Sequence, residues 1–205
     1  MSAESAEPVV PVYDRHPLGL PAGSIRAILS IGIAGAFLLY LGHPKATHVP
    51  LYLYFLTFGL FLFFASHGRT IGTSGHSPLY MPKGTLRFII VAGIAGVVGW
   101  LLWRDPQEVI KRMRPREIEL DSWAILFASS VGGFFVGWLL AHGPWRKAAA
   151  FQDVLAWIAL IALLMMVGES LWKGFIDPNG IKIDNRYVWE SILIGTVSLY
   201  FGSRS

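Results

Sequence analysis

The side chains that could do chemistry in this chain are arginines and histidines at the ends of apolar segments. Two histidines each precede a glycine where an apolar segment ends, and two arginines begin other apolar segments. If the segments stand side by side, these groups form a cationic collar at one membrane surface, suited to the phosphate of an anionic lipid or another phosphate ligand. The collar residues are Arg26, Arg69, Arg87, Arg146, His67 and His142. Ordinary anchoring to headgroups, metal ligation and catalysis by the histidines are the alternatives.

Other chemistry has little support in the residue types. The chain has no cysteine, which excludes disulfides, iron–sulfur clusters and thiol catalysis. Two histidines alone do not complete a zinc site, and no phosphate loop, dinucleotide fingerprint or hydrolase motif is present. We therefore predict no catalytic residue, no metal and no cofactor. Nucleic acid is not an expected partner, because the net charge of +4 comes from residues flanking apolar segments.

The composition places these residues on membrane helices. The chain of 205 residues is 54% hydrophobic and 15% charged, against about 25% charged in soluble domains. Six apolar stretches approach the length of about 20 residues that a spanning helix needs. They cover residues 25–41, 51–66, 86–103, 123–141, 154–172 and 187–201. These runs are too uniformly apolar for barrel strands, so the predicted fold is an all-α integral membrane protein of about six transmembrane helices.

Two segments of the chain repeat one another. Residues 20–37 and 81–98 align without a gap at an offset of 61, with 8 identities in 18 positions. Ser24 and Thr85 are the expected N-caps of the two helices. Arg26 and Arg87 follow in the first turn, where the helix dipole disfavours a cation, and lipid phosphate is the expected compensation.

The repeat predicts a chain built from helical hairpins. The second and fourth apolar stretches also end alike, in His-Gly followed by arginine, so that each hairpin enters and leaves on one side. The expected units are a polar tail at 1–19, a first hairpin at 20–69, a second at 81–147 with a short interfacial helix near 105–114, and a possible diverged third at 151–205.

The side of the membrane on which the termini lie is predicted from a narrow difference in charge between the two predicted sides. Basic residues are almost equally divided between the two predicted sides, and we expect the termini to be cytoplasmic. The segments LPAGSIRA (20–27) and YFGSR (200–204) resemble segments of uncharacterised bacterial membrane proteins, which favours a bacterial inner membrane.

Small residues recur at the four-residue spacing that lets membrane helices approach closely. They form three short lines along predicted spans. These helix-packing residues are Gly32, Ala36, Ala92, Gly96, Ser129, Gly133 and Gly137. Packing within the chain and self-association both fit this pattern.

Three functions remain open. The first is a non-enzymatic membrane protein that acts by assembly, as a scaffold, accessory subunit or self-associating bundle, with the bilayer, anionic lipid and membrane proteins as partners. The second is a passive channel or uncoupled transporter with a polar path near Thr57, Ser129, Ser130 and Thr196. The third is a membrane-embedded lipid enzyme. An exposed small-residue face favours assembly, and a continuous polar path favours a channel.

Overall fold

The computed structural model describes residues 17–20, 23–43, 46, 48–66, 79, 84–115, 121–143, 148–172 and 186–204. Within these ranges the chain forms a short 3-10 turn and seven α-helices. The helices are α1 (Ser24–Gly42), α2 (Leu51–Ser66), α3 (Thr85–Arg104), α4 (Pro106–Met113), α5 (Trp123–His142), α6 (Ala149–Leu171) and α7 (Arg186–Gly202).

Four of these helices, α1, α3, α5 and α6, are long and apolar enough to cross a membrane. They indicate a membrane protein with an all-helical fold in the part of the chain that is described. Helix α2 has 16 residues, or about 24 Å at 1.5 Å per residue, against a hydrocarbon core of about 30 Å. Helix α7, with 17 residues, is also shorter than the four long helices.

Helix α1 lies at the centre of the helix packing and α3 at its edge. Over their most apolar windows, 56% of α1 but only 11% of α3 is buried. Helix α1 packs against α2, α3 and α6, whereas the main contacts of α3 are with α1 and the short helix α4. Most of the surface of α3 therefore faces away from the rest of the chain.

Helices α5 and α7 form the closest helix pair among the described elements. They run parallel, because Gly133 meets Gly195 and, further along both helices, Gly137 meets Leu199. A Cβ added at either Gly133 or Gly137 would overlap a backbone carbonyl of α7. Glycine at these two positions allows the two backbones to touch.

Helices α1 and α3 begin with the same local geometry. Gly23 and Gly84 both have φ +81° and act as the N-cap residues, with no side-chain cap. The prediction that Ser24 and Thr85 would cap these helices is wrong, because each already lies in the first helical turn. The left-handed φ needs glycine, and it turns the chain into the helix one residue earlier than the side-chain pattern indicated.

Helix α4 closes the opposite end of α1. Asp105 accepts a hydrogen bond from the Glu108 amide at 3.1 Å, as expected for an N-cap before Pro106. The Arg112 guanidinium donates through Nη1 to the carbonyls of Leu41 and His43, both at 2.9 Å. Arg112 therefore caps the C-terminus of α1, and α4 is joined to the helix bundle as well as being amphipathic.

Candidate functional site

The outer face of α3 carries a line of small residues. Ala92 and Gly96 are exposed, and a Cβ added at Gly96 or Gly99 would meet no atom within 4 Å. Large aromatic side chains stand at the two ends of this face, with Phe88 73% exposed and Trp103 87% exposed. We call the face formed by Phe88, Ala92, Ala95, Gly96, Gly99 and Trp103 the α3 groove.

The helical periodicity of α3 determines which side of the helix these small residues occupy. Ile90 and Ile94 are the buried residues of α3, and they lie on the side that packs against the chain. Ala92 and Gly99 are almost in line along the helix and lie on the opposite side. The apolar contacts of α3 with its own chain therefore leave the small residues facing outward.

The other predicted packing residues have contacts within the chain. A Cβ at Gly32 would lie 2.7 Å from Leu163 Cδ2, and Ala36 is buried in the core. The Ser129 carbonyl faces Gly195 on α7, on the same seam as Gly133 and Gly137. Of the three predicted lines of small residues, the structure leaves only Ala92 and Gly96 exposed.

Sequence reasoning missed the glycines on the other side of this seam. Gly195 and Gly202 are seven residues apart on α7, and a Cβ at Gly202 would overlap the Phe134 carbonyl. A spacing of seven residues returns to the same helix face, so this periodicity in the sequence could have identified both.

Arg26 and Arg87 lie at the C-terminal end of α2. The Arg26 guanidinium carbon is 5.4 Å from the centroid of the Phe63 ring, and that of Arg87 is 5.7 Å from the Phe64 ring. Arg87 Nη1 also donates to the Phe64 carbonyl at 3.4 Å. The C-terminal end of a helix carries partial negative charge. Helix α2 therefore compensates part of the positive charge of these first-turn arginines.

A third arginine joins this end of the structure, and the predicted collar did not include it. Arg204 is the second residue after the end of α7, and its carbonyl accepts a hydrogen bond from Arg26 Nη1 at 3.4 Å. Its own Nη2 donates to Gln152 Oε1 at 3.3 Å, and its guanidinium lies 5.9 Å from the Tyr200 ring centroid. We call the end where Arg26, Arg87 and Arg204 meet the arginine end.

Of the remaining predicted collar residues, the structure describes only His142. His142 is exposed at the end of α5, where its Nδ1 lies 2.8 Å from the Trp138 carbonyl and its ring packs on the Trp138 ring. Three further collar residues, His67, Arg69 and Arg146, lie outside the described residues.

Of the four polar side chains expected along a channel path, Ser130 and Thr196 have described hydrogen-bond partners. Ser130 Oγ is 3.2 Å from Ser198 Oγ, across the contact between α5 and α7. The Thr196 hydroxyl donates to the Ile192 carbonyl of its own helix at 2.8 Å. Thr57 Oγ1 is buried and has no hydrogen-bond partner among the described residues.

A buried polar cluster at the opposite end was not found by sequence reasoning. The Tyr40 hydroxyl donates to the Ser170 carbonyl at 2.5 Å, and the Tyr52 hydroxyl contacts Ser170 Oγ. Glu190 is buried on α7. The two tyrosines satisfy polar groups of Ser170, in the last turn of α6.

Comparison with known proteins gives one partial likeness. A quinoprotein glucose dehydrogenase of Escherichia coli (strain K12) is 27% identical over 95 residues, which is 42% of this chain. The likeness covers 12% of the length of that enzyme. No family model matches the chain, and no solved structure is significantly similar to it.

Proposed function

We propose that this chain is a non-enzymatic membrane protein that acts by assembly, and that the α3 groove is the surface on which a second copy of the chain packs. The observation that carries the proposal is the outward position of Ala92, Gly96 and Gly99 on a long apolar helix. Small residues on such a helix let another helix approach closely enough for extensive van der Waals contact.

A second copy of the chain fits the groove for reasons of symmetry and shape. Membrane insertion gives every copy the same orientation, so two α3 helices related by a two-fold axis along the membrane normal run parallel. Each then presents the same line of small residues to the other, as an isologous interface requires. Phe88 and Trp103 flank the groove at its two ends and would pack beside the partner helix.

The expected organisation around this groove retains the six-span hairpin arrangement. The supporting observations are the matching glycine N-caps at Gly23 and Gly84 and the paired positions of Arg26 and Arg87 at the end of α2. In this arrangement α2 and α7 also cross the bilayer. Because these two helices are shorter, the bilayer must thin locally around them or the neighbouring helices must tilt. We further propose a bacterial inner membrane, with both termini in the cytoplasm.

Filling the groove tests this function. In lipid nanodiscs, the wild-type chain is expected to form dimers, and Gly96→Leu is expected to shift the population to monomers because the leucine blocks close helix approach. Gly168→Leu is the matched control, since Gly168 on α6 also has no atom within 4 Å of an added Cβ. A monomeric wild type, or equal dimer fractions for the two variants, would remove the proposal.

A further inference from the structure

The arginine end collects positive charge from three separate parts of the fold. Arg26 and Arg87 come from the first turns of α1 and α3, and Arg204 follows α7. The charges of Arg87 and Arg204 both act unfavourably on Arg26, whose side chain is partly buried. Like charges gathered where water is partly excluded repel more strongly than they do in bulk water.

Among the described residues, the hydrogen-bond and ring partners of the Arg26 and Arg204 side chains are neutral. They are the carbonyl of Arg204, the amide of Gln152, and the rings of Phe63 and Tyr200. The C-terminal ends of α2 and α7 contribute about half a negative charge each. The N-terminal ends of α1 and α3 lie at the same level and contribute a similar amount of positive charge, so the helix dipoles do not neutralise the cluster.

One carboxylate lies nearby. Asp153 directly follows Gln152 as the fifth residue of α6, and its Oδ1 accepts a hydrogen bond from the Leu18 amide at 2.7 Å. Among the described residues, no carboxylate forms an ion pair with Arg26 or Arg204. Within the described part of the chain, the charges of Arg26 and Arg204 therefore have no ion-pair partner.

We propose that Arg26, Arg87 and Arg204 form a binding site for a phosphate group, supplied by the headgroup of an anionic membrane lipid. A guanidinium has five N–H donors in a planar fork that matches phosphate oxygens. Arg26 and Arg204 each donate one hydrogen bond to a described protein group, which leaves donors for a ligand. The site lies where α1 and α3 begin, at the level of lipid headgroups. This proposal stands independently of self-association through α3.

Lipid retention in native mass spectrometry tests the site. The probes are phosphatidylglycerol, which is anionic, and phosphatidylcholine, which carries phosphate without net charge. We expect the wild type to retain phosphatidylglycerol preferentially, and the double variant Arg26→Gln/Arg204→Gln to lose affinity on the order of tenfold, because charge-assisted hydrogen bonds are removed. Arg104→Gln is the matched control. Arg104 lies at the opposite end of α3, 5.5 Å from the Trp100 ring centroid, and its loss should leave retention unchanged.

A second arm separates a lipid headgroup from free phosphate. Inorganic phosphate, compared with chloride at equal ionic strength, should displace phosphatidylglycerol from the wild type if both use the same arginines. Binding of inorganic phosphate without any preference for phosphatidylglycerol would overturn the lipid assignment. The site itself would be overturned if the wild type retained the two lipids equally and bound no inorganic phosphate. It would also be overturned if the double variant and Arg104→Gln lost equal amounts of phosphatidylglycerol. If the double variant does not fold, Arg204→Gln alone, beyond the end of α7, must still reduce retention relative to Arg104→Gln.

Discussion

Replacement of Gly137 by alanine is expected to be strongly destabilising, although it adds a single methyl group. The new Cβ would overlap the Leu199 carbonyl and lie 2.8 Å from the Ser203 backbone nitrogen. Both neighbours are backbone atoms, so rotation of a side chain cannot relieve the contact and α5 must move away from α7. Overpacking in protein cores costs about 1–3 kcal/mol. Because the closest helix pair must separate, we expect a loss of about 3 kcal/mol in the free energy of unfolding.

Two other glycines provide controls for this substitution. Gly99→Ala adds the same methyl group where nothing lies within 4 Å, so stability should be unchanged or slightly increased by the better helix propensity of alanine. Gly32→Ala meets the end of the flexible Leu163 side chain, which can rotate away, so a loss of about 1 kcal/mol is expected.

The assay is equilibrium unfolding of the three variants in mixed micelles with increasing SDS, followed by tryptophan fluorescence. The expected order of stability is Gly99→Ala, then Gly32→Ala, then Gly137→Ala. If Gly137→Ala were as stable as Gly99→Ala, the close backbone contact between α5 and α7 would be refuted.

Two further substitutions test separate parts of the packing. Arg112→Met should lower the free energy of unfolding by about 2 kcal/mol, because two carbonyls at the end of α1 lose a charged donor; an unchanged SDS midpoint would show that water caps α1 equally well. Thr57→Val should raise stability by about 1 kcal/mol in the same assay, because it removes a buried hydroxyl without a described partner at nearly constant volume, and a decrease would show that the hydroxyl is hydrogen-bonded in the folded protein.

The sequence predicted the helical class because the free energy of transferring apolar segments depends mainly on composition. The helices of 19 to 23 residues that begin at Ser24, Thr85, Trp123 and Ala149 lie close to the predicted apolar stretches. Length alone does not decide whether a shorter helix such as α2 crosses the bilayer, because tilt and local thinning depend on its neighbours. The count of six spans therefore remains a prediction.

Which helix each small-residue face packs against could not be predicted from the sequence. Gly133 and Gly96 have the same local pattern, with a second small residue four positions away, yet one packs on α7 and the other faces outward. The difference depends on which helices become neighbours, and that is a property of the whole fold.

Arg26 and Arg87 show a similar limit of prediction from the sequence. The repeat drew attention to Arg26 and Arg87, and their position in the first helical turn raised the question of what compensates the charge. The pattern could not reveal that the end of α2 lies beside both of them, or that Arg204 joins the cluster, because these contacts connect residues up to 178 positions apart.

Cysteine cross-linking in native membranes tests self-association through α3 most directly. The chain contains no cysteine, so a single Ala92→Cys substitution places one thiol in the α3 groove with little change in size. Ile158→Cys places a thiol at a similar distance from the start of α6, on another exposed apolar surface. Mild oxidation is expected to give a disulfide-linked dimer for Ala92→Cys and only background levels for Ile158→Cys. Equal cross-linking of both variants, or none for Ala92→Cys, would contradict assembly through the α3 groove.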